Sequence, residues 1–268
     1  MKRSKRVAAL IKILTDSPNK VFNLQYFCDM FDAAKSSISE DIKEATNAIL
    51  ETGTGYLQTI PGKNGGVKFV PDISDTRIIE LQKEFCEKLN DKNRLLGGNF
   101  IYTSDIFYDP NLVTNLSKIF VRKFKDSNAD VVVTLETKGI PLAFSVAKGL
   151  GIPLAVIRKD ARISEGSTVS INYFSASDGR LQKMTMSKRA IKSNSKVLVI
   201  DDFMRAGGSI VGIRNMIEEF DSSIVGVGVA IASILPEKKK IDDFYCIAYL
   251  GKISTDDRIL EVFPNTNL

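Results

Sequence analysis

The sequence predicts a mixed α/β protein in two parts, a winged helix-turn-helix over residues 1–74 and a doubly wound parallel sheet over residues 75–268. Three observations carry that expectation. Apolar residues recur at helical spacing three times in the first fifty positions and are followed by a hairpin flanked by glycine and proline. Short unbroken apolar runs, Val131–Val133, Leu154–Ile157 and Val197–Ile200, then alternate with helical stretches, as strands buried on both faces of a parallel sheet do. Between the two patterns, Pro71-Asp72-Ile73-Ser74 reads as a junction.

Composition narrows the function classes. At 268 residues the chain can bury two modest cores, and 44% hydrophobic with 26% charged residues is ordinary for a globular protein. No apolar stretch is long enough to span a bilayer, and Met1–Leu10 is too charged for a signal peptide, so a cytoplasmic protein without a membrane partner is expected. There is no histidine, which removes the commonest general base and excludes histidine-dependent hydrolases. Cys28, Cys86 and Cys246 are widely spaced without a CxxC, so buried thiols are expected rather than a disulfide or a metal site. A net charge of +5 is a mild tilt, and any nucleic-acid reading must rest on where the charges lie.

The first helix carries Val7, Leu10, Ile11 and Leu14 on one face behind a basic arm of Lys2, Arg3, Lys5 and Arg6, and Ser17-Pro18-Asn19 ends it. Asn23 is placed to cap a second helix through Leu24, Phe27, Cys28 and Phe31. After Asp32-Ala33-Ala34-Lys35 a third helix opens at Ser36 and Ser37, with Ser37 three residues before Glu40 as in a capping box. Its apolar face is Ile38, Ile42, Ala45 and Ile49, leaving Lys35, Ser36, Ser37, Ser39 and Lys43 as candidate groove contacts. Tyr56–Ile60 and Val67–Val70 form the wing around a tip at 61–66, where Lys63 and Lys68 are candidate phosphate contacts. Glu40, Asp41 and Glu44 favour a protein-interaction winged helix instead; the basic arm and the lysine-bearing wing favour double-stranded DNA.

Ile78–Leu89 reads as a helix serving as connector or dimer surface, and Phe100-Ile101-Tyr102 as a short apolar segment whose tyrosine could plug the core. Leu112–Phe124 and Ile140–Gly149 are helical, and Ile224–Ile231 and Tyr245–Leu250 complete the sheet. Lys238-Lys239-Lys240 reads as a solvated run. Ligands of such sheets bind outside the carboxyl ends of the strands, which makes Glu136–Gly139, Arg158-Lys159-Asp160 and Asp201–Ser209 converge.

The stretch VLVIDDFMRAGGS, residues 197–209, organises the rest. A buried strand leads to Asp201 and Asp202, expected on a loop, which can accept hydrogen bonds from vicinal hydroxyls. Ala206, Gly207, Gly208 and Ser209 then open a helix whose amides attract phosphate. The spacing is neither a Walker loop nor a dinucleotide fingerprint. It resembles the motif by which type I phosphoribosyltransferases bind 5-phosphoribosyl 1-diphosphate (PRPP). That resemblance implies ribose hydroxyls on Asp201 and Asp202, with Phe203 and Met204 beside them, and the 5-phosphate on Arg205–Ser209. It puts the diphosphate on Thr137, Lys138 and Gly139, with Arg158 and Lys159 facing the same phosphates, and Tyr102 near the ligand. Residues 162–189 take the place of the family's hood, with a strand pair at Thr168–Phe174 and Gln182–Met186 and turns at Gly166 and Ser177-Asp178-Gly179.

Over essentially the whole chain, through MKRSKR, LETKGIPLA, VIRKD, EGSTVSINY and VLVIDDFMRAGGS, the sequence resembles the purine operon regulators of Gram-positive bacteria. The resemblance implies a homodimeric, non-enzymatic regulator that binds an operator near purine genes and responds to PRPP with Mg²⁺, and to ppGpp in the same pocket. Ala206 stands where transferases commonly carry a hydroxyl, Arg205 adds a bulky cation, and Ile253–Leu268 shows no purine-reading constellation. The alternative is an active purine phosphoribosyltransferase with an accessory winged helix. Whether such a protein represses or activates depends on where its operator lies.

Overall fold

The computed structural model describes residues 1–160, 165–175 and 180–267, so Arg162-Ile163-Ser164 and the turn expected at Ser177-Asp178-Gly179 lie outside the described residues. The chain divides into two compact units, Met1–Ser74 with the short Lys148–Gly151 segment, and Asp75–Ala147 with Ile152–Leu268.

In the first unit α1 (Arg3–Asp16), α2 (Leu24–Phe31) and α3 (Lys35–Thr52) are followed by β1 (Gly55–Ile60) and β2 (Gly66–Pro71). The Asn23 side chain accepts the Tyr26 amide at 2.8 Å, capping α2 as its sequence position suggests. Asp32, left-handed at φ 47°, turns the chain so sharply that α3 begins at Lys35 with Ala34 as its cap. The expected Ser37–Glu40 capping box is therefore absent, because Ser37 already lies inside the helix. β1 and β2 pair from Gly55 opposite Pro71 to Ile60 opposite Gly66. Phe22 exchanges both backbone hydrogen bonds with Val67, fastening the segment before α2 to the wing. Leu10, Leu14, Phe27, Phe31, Ile38, Ala45, Ile49, Val67 and Phe69 close the core.

The basic arm is not an arm. Helix α1 starts at Arg3, and the Arg6 guanidinium reaches across to Asp41 on α3, with Nε 2.7 Å from Oδ2 and a second nitrogen 3.3 Å from Oδ1. The Asp41 side chain is 1% exposed and that of Arg6 14%. Arg3 lies 3.5 Å from Asp41 and 3.6 Å from Glu44. Two of the four cations of the expected basic arm are thus paired with carboxylates of the third helix, and Arg6 is a packing residue.

In the second unit α4 (Asp75–Leu89), β3 (Leu95–Leu96), β4 (Phe100–Ile101), α5 (Ser104–Phe107) and α6 (Pro110–Phe124) lead into the sheet. The sheet is built from β5 (Val131–Leu135), β6 (Leu154–Ile157), β9 (Lys196–Met204), β10 (Ser223–Ser233), β11 (Tyr245–Ser254) and β12 (Ile259–Pro264), in the order β12-β11-β10-β9-β5-β6. Helix α7 (Gly139–Leu150) follows β5, α8 (Gly208–Glu218) follows β9, and β7 (Thr168–Ser175) pairs with β8 (Arg180–Ser187) as a separate hairpin. The doubly wound parallel sheet stands with one addition: β12 runs antiparallel to β11 along one edge. Its alternation of buried Leu260 and Val262 with exposed Glu261 and Phe263 is the period of two expected of an edge strand.

Helix α4 packs one face into the α/β unit. Ile78, Leu81, Phe85 and Leu89 are buried, and the Gln82 amide donates to the carbonyls of Ile247 and Asn265 at 3.2 and 2.8 Å. Ile210, Ile213, Met216 and Ile217 of α8 share a core with Tyr173, Met184 and Met186 of the hairpin. Burial pushes the Cys86 and Cys246 thiols up to about 12 and about 11, while Cys28 is only half-buried. Among the described residues no helix is long and apolar enough to cross a membrane.

Arg6→Ala strips the closest partner from a buried carboxylate and is expected to destabilise the N-terminal unit by about 3 kcal/mol. The exposed Lys5→Ala is expected to stay within about 0.5 kcal/mol of the parent. Urea unfolding followed by circular dichroism compares the two.

Candidate functional site

Central strand β9 lies between β5 and β10, and Val197–Ile200 are fully buried. The strand does not stop at Ile200 but runs on through Met204, so Asp201 and Asp202 lie in it rather than on a loop. The two acids differ in burial as the strand emerges from the core: Asp201 is 5% exposed, Asp202 is half-buried, Phe203 is exposed and Met204 is buried. The Asp202 amide donates to Asp201 Oδ1 at 3.0 Å. Burial holds the Asp201 carboxyl well above the usual carboxylate range, and the neighbouring Asp202 charge pushes the same way. Burial raises Asp202 as well, against the pull of its hydrogen bond to Asp201 and of the Lys138 ammonium.

The loop after β5 meets this pair. The Glu136–Thr137 peptide is cis, Thr137 is exposed and Lys138 half-buried, and Gly139 opens α7 directly against the acid. A Cβ on Gly139 would collide with Asp201 Oδ1 and come within 2.6 Å of Thr134 Oγ1, so only glycine lets β5 and β9 close at this point. Lys138 Nζ donates to Thr103 Oγ1 at 3.3 Å, which brings the segment after β4 to the same loop. Tyr102, one residue earlier, is 46% exposed and is not a core plug.

Beyond β9 the chain makes a three-residue turn of exposed Arg205 and buried Ala206 and Gly207, and Gly208 and Ser209 begin α8. Gly207 takes φ 83° as the helix cap, a conformation that favours glycine. The Ala206 carbonyl accepts the Lys240 amide at 2.9 Å, and Ile241 packs under Gly207. With its carbonyl tied back, the turn leaves the amides of the first helical turn to face an anion. Residues Phe203–Ile210 line a small cleft of about 70 Å³ at this spot. Lys238–Lys240 is therefore more than a solvated run: Lys240 braces the turn, and Lys239 Nζ donates to the Pro236 carbonyl at 2.6 Å.

Arg158, expected to face phosphates, is held elsewhere. Its guanidinium lies 3.2 Å from Glu136 and 3.1 Å from Glu165, and its backbone exchanges hydrogen bonds with Thr185 of β8. Glu136 also accepts the Lys159 amide at 2.7 Å, while the Lys159 side chain is exposed. Arg158 so links the loop after β5 to the hairpin, a role for which Glu136 and Glu165 offered no sequence signal, being 22 and 7 residues away. Thr103 was missed for the same reason.

On the first unit, Lys2 and Lys5 at the start of α1, Lys35, Ser36 and Lys43 on α3, and Lys63 at the wing tip are exposed, and Ser37 and Ser39 are half-buried. Lys68 is half-buried and donates to Asn19 Oδ1 at 3.3 Å, tying the wing to the end of α1 rather than standing out from it. With Arg3 and Arg6 paired to carboxylates, the exposed cations are fewer than the sequence count suggests. The acids that argued against DNA are fewer too, because Asp41 is buried and Glu44 is paired.

Comparison with known proteins agrees with both units. The family of bacterial purine repressor N-terminal domains matches residues 2–71, and the phosphoribosyl transferase domain matches residues 103–263. A purine biosynthesis transcriptional activator of Lactococcus lactis is 37% identical over 98% of this chain and 97% of its own. A purine biosynthesis transcriptional repressor of Bacillus subtilis is 37% identical over 97% of this chain and 92% of its own. The crystal structure of adenine phosphoribosyltransferase from Rhodothermus marinus superimposes with a TM-score of 0.52 at 17% identity, covering 65% of this chain and 98% of that one, a likeness of fold.

The buried acid makes a prediction about pH. A carboxyl whose folded-state pKa exceeds its unfolded value, about 3.9, binds more protons when folded. Its contribution to stability is complete below the unfolded pKa and is lost as pH rises through the folded one. Asp201→Asn keeps the acceptor for the Asp202 amide and cannot ionise. Its melting midpoint is expected to lie a few degrees above the parent's at pH 7–8, with the gap closing as pH falls toward about 4. Thermal melts across that range check it.

Proposed function

The chain belongs to the bacterial purine-biosynthesis transcription regulators, and from that premise we propose that its α/β unit senses PRPP and sets the DNA affinity of its winged helix. As a member it regulates transcription of purine biosynthesis genes by binding DNA. The two relatives are named activator and repressor at equal identity, so the family contains both signs of control.

One observation supports the PRPP reading above the others. An acid pair at the end of a central strand, a glycine-capped helix start and the Lys138-Gly139 loop meet at one sheet edge, each suited to one part of a phosphorylated sugar diphosphate. The amides of Gly208, Ser209 and Ile210 take the 5-phosphate, with Arg205 beside them. Asp202, the more accessible acid, accepts from the ribose hydroxyls, and Asp201 behind it fixes the backbone through the Asp202 amide. Lys138, the Gly139 amide and exposed Lys159 face the diphosphate, and Tyr102 lies one residue from the Thr103 contact of Lys138. Mg²⁺ travels with the diphosphate; among the described residues no three His, Cys, Asp or Glu side chains gather to hold a metal on their own. The alarmone ppGpp carries the same ribose and diphosphate chemistry and competes for the same groups.

DNA is met by α3 in the major groove, with Lys2, Lys5 and Lys63 on phosphates. Occupancy of the pocket changes DNA binding only if the ligand has different affinities for two states of the protein. A homodimer matches two half-sites, and a chromosome-bound regulator works in the bacterial cytoplasm. The match to the transferase domain supports the second reading, an active transferase; Ala206 in place of a hydroxyl in the phosphate turn favours the sensor.

Titration of the full chain with operator DNA over a range of salt, with and without PRPP and Mg²⁺, tests this. The expected outcome is a steep salt slope and a shift of about 5- to 150-fold in affinity on adding PRPP. Asp202→Ala is expected to erase the shift and leave affinity without ligand unchanged. Operator binding indifferent to PRPP sinks the sensor, and base-dependent release of diphosphate from PRPP establishes the transferase.

A further inference from the structure

Helix α3 carries four acids, and the structure disposes of them unequally. Asp41 is buried against Arg6 and Arg3, Glu44 is paired with Arg3, and Glu51 stands in the last turn. Glu40 is exposed, and among the described residues its carboxylate makes no hydrogen bond or ion pair. At 3.6 residues per turn, Ser36, Glu40, Lys43 and Asn47 fall within an arc of about 60°. All four are exposed, while the buried Ile38, Asp41, Ala45 and Ile49 occupy the opposite arc. Glu40 therefore lies on the face this helix turns outward, at one edge of the exposed arc.

That placement is costly on a helix that enters a groove. Phosphates flank the groove on both sides, and a carboxylate carried between them opposes docking unless a base-edge donor meets it. In the major groove the available donors are the N4 amine of cytosine and the N6 amine of adenine. Adenine presents an acceptor, N7, beside its amine, and a side-chain amide satisfies both where an ionised carboxylate, which only accepts, meets N7 with repulsion. Cytosine presents the amine alone. We infer that Glu40 is a specificity-determining residue, whose carboxylate accepts a hydrogen bond from the N4 amine of one cytosine in the operator. Lys43, one turn along the same stripe, supplies compensating charge toward the backbone. The inference rests on the docking of α3 proposed above and deepens it by one base pair.

The test uses the full-length chain and an operator duplex together with its complete set of single base-pair replacements, at one salt concentration. The parent is expected to lose roughly tenfold or more in affinity when one particular C·G pair is replaced. Glu40→Ala is expected to lose discrimination at that pair alone while binding mixed-sequence DNA at least as tightly as the parent. Glu40→Gln is expected to move the preference at that pair toward A·T, since an amide can bridge N6 and N7. Melting of the exposed-site variants is expected to match the parent. A replacement profile for Glu40→Ala superimposable on the parent's overturns the inference. Lys43→Ala separates the two layers: weakened binding on every sequence with a salt slope lower by about 1 keeps α3 in the groove even if Glu40 fails. No change with Lys43→Ala removes α3 from the groove and the inference with it.

Discussion

A carboxyl in the dry end of a central strand is the constraint around which the α/β unit is built. Asp201 is nearly as buried as the valines before it, and taking a carboxylate out of water costs several kcal/mol unless the group stays protonated or finds partners. The structure gives it one amide, from Asp202, and a glycine-sized space at Gly139. Everything near it follows: α7 must begin with glycine, the β5 loop must sit close, and Lys138 is held where its charge acts on Asp202.

The winged helix obeys a different economy of charge. Its third helix needs an acid at Asp41 on its buried side, and Arg6 of the first helix satisfies it across 35 residues of sequence. This ion pair sets how α1 lies on α3, and with it which face of α3 is left outward. The arginine that composition assigns to a nucleic-acid partner is thereby an internal fastener.

Much of this architecture is legible in the residues, for a physical reason. Val131–Val133, Leu154–Ile157 and Val197–Ile200 are continuous apolar runs, and only a strand covered on both faces asks for that. Asn23, Asp32 and Gly53 mark their turns through capping and left-handed conformations that few residues adopt. What escaped reading has one cause, contact at long sequence separation. The true end of β9 depends on pairing with Ile231 and Ala232 of β10, which extends the ladder past the acids. The burial of α4 depends on the carbonyls of Ile247 and Asn265. The edge strand β12 is short and, Glu261 apart, apolar, so its alternation of buried and exposed positions shows only once β11 lies beside it. Arg3, Arg6 and Arg158 look like free cations because their carboxylates are elsewhere in the chain.

Arg158 also bears on how firmly the hairpin is held to the rest of the α/β unit. A transferase hood must move for substrates to enter and products to leave. Here the hairpin of β7 and β8 is fastened three ways: by the Arg158–Thr185 backbone exchange, by ion pairs through Arg158 to Glu165 and Glu136, and by Tyr173, Met184 and Met186 packed with α8. Two of the fastenings end on elements proposed above to carry ligand groups, Glu136 beside Thr137 and Lys138, and α8 behind the turn at Arg205–Gly207. In the PRPP reading proposed above, a diphosphate at that loop would alter the charge felt by Glu136, and a phosphate at the start of α8 would load the helix on which the hairpin rests. On the sensor reading proposed above, the differential affinity that control requires would be expressed through an already docked hairpin, and on the transferase reading the same fastenings would have to open in each cycle.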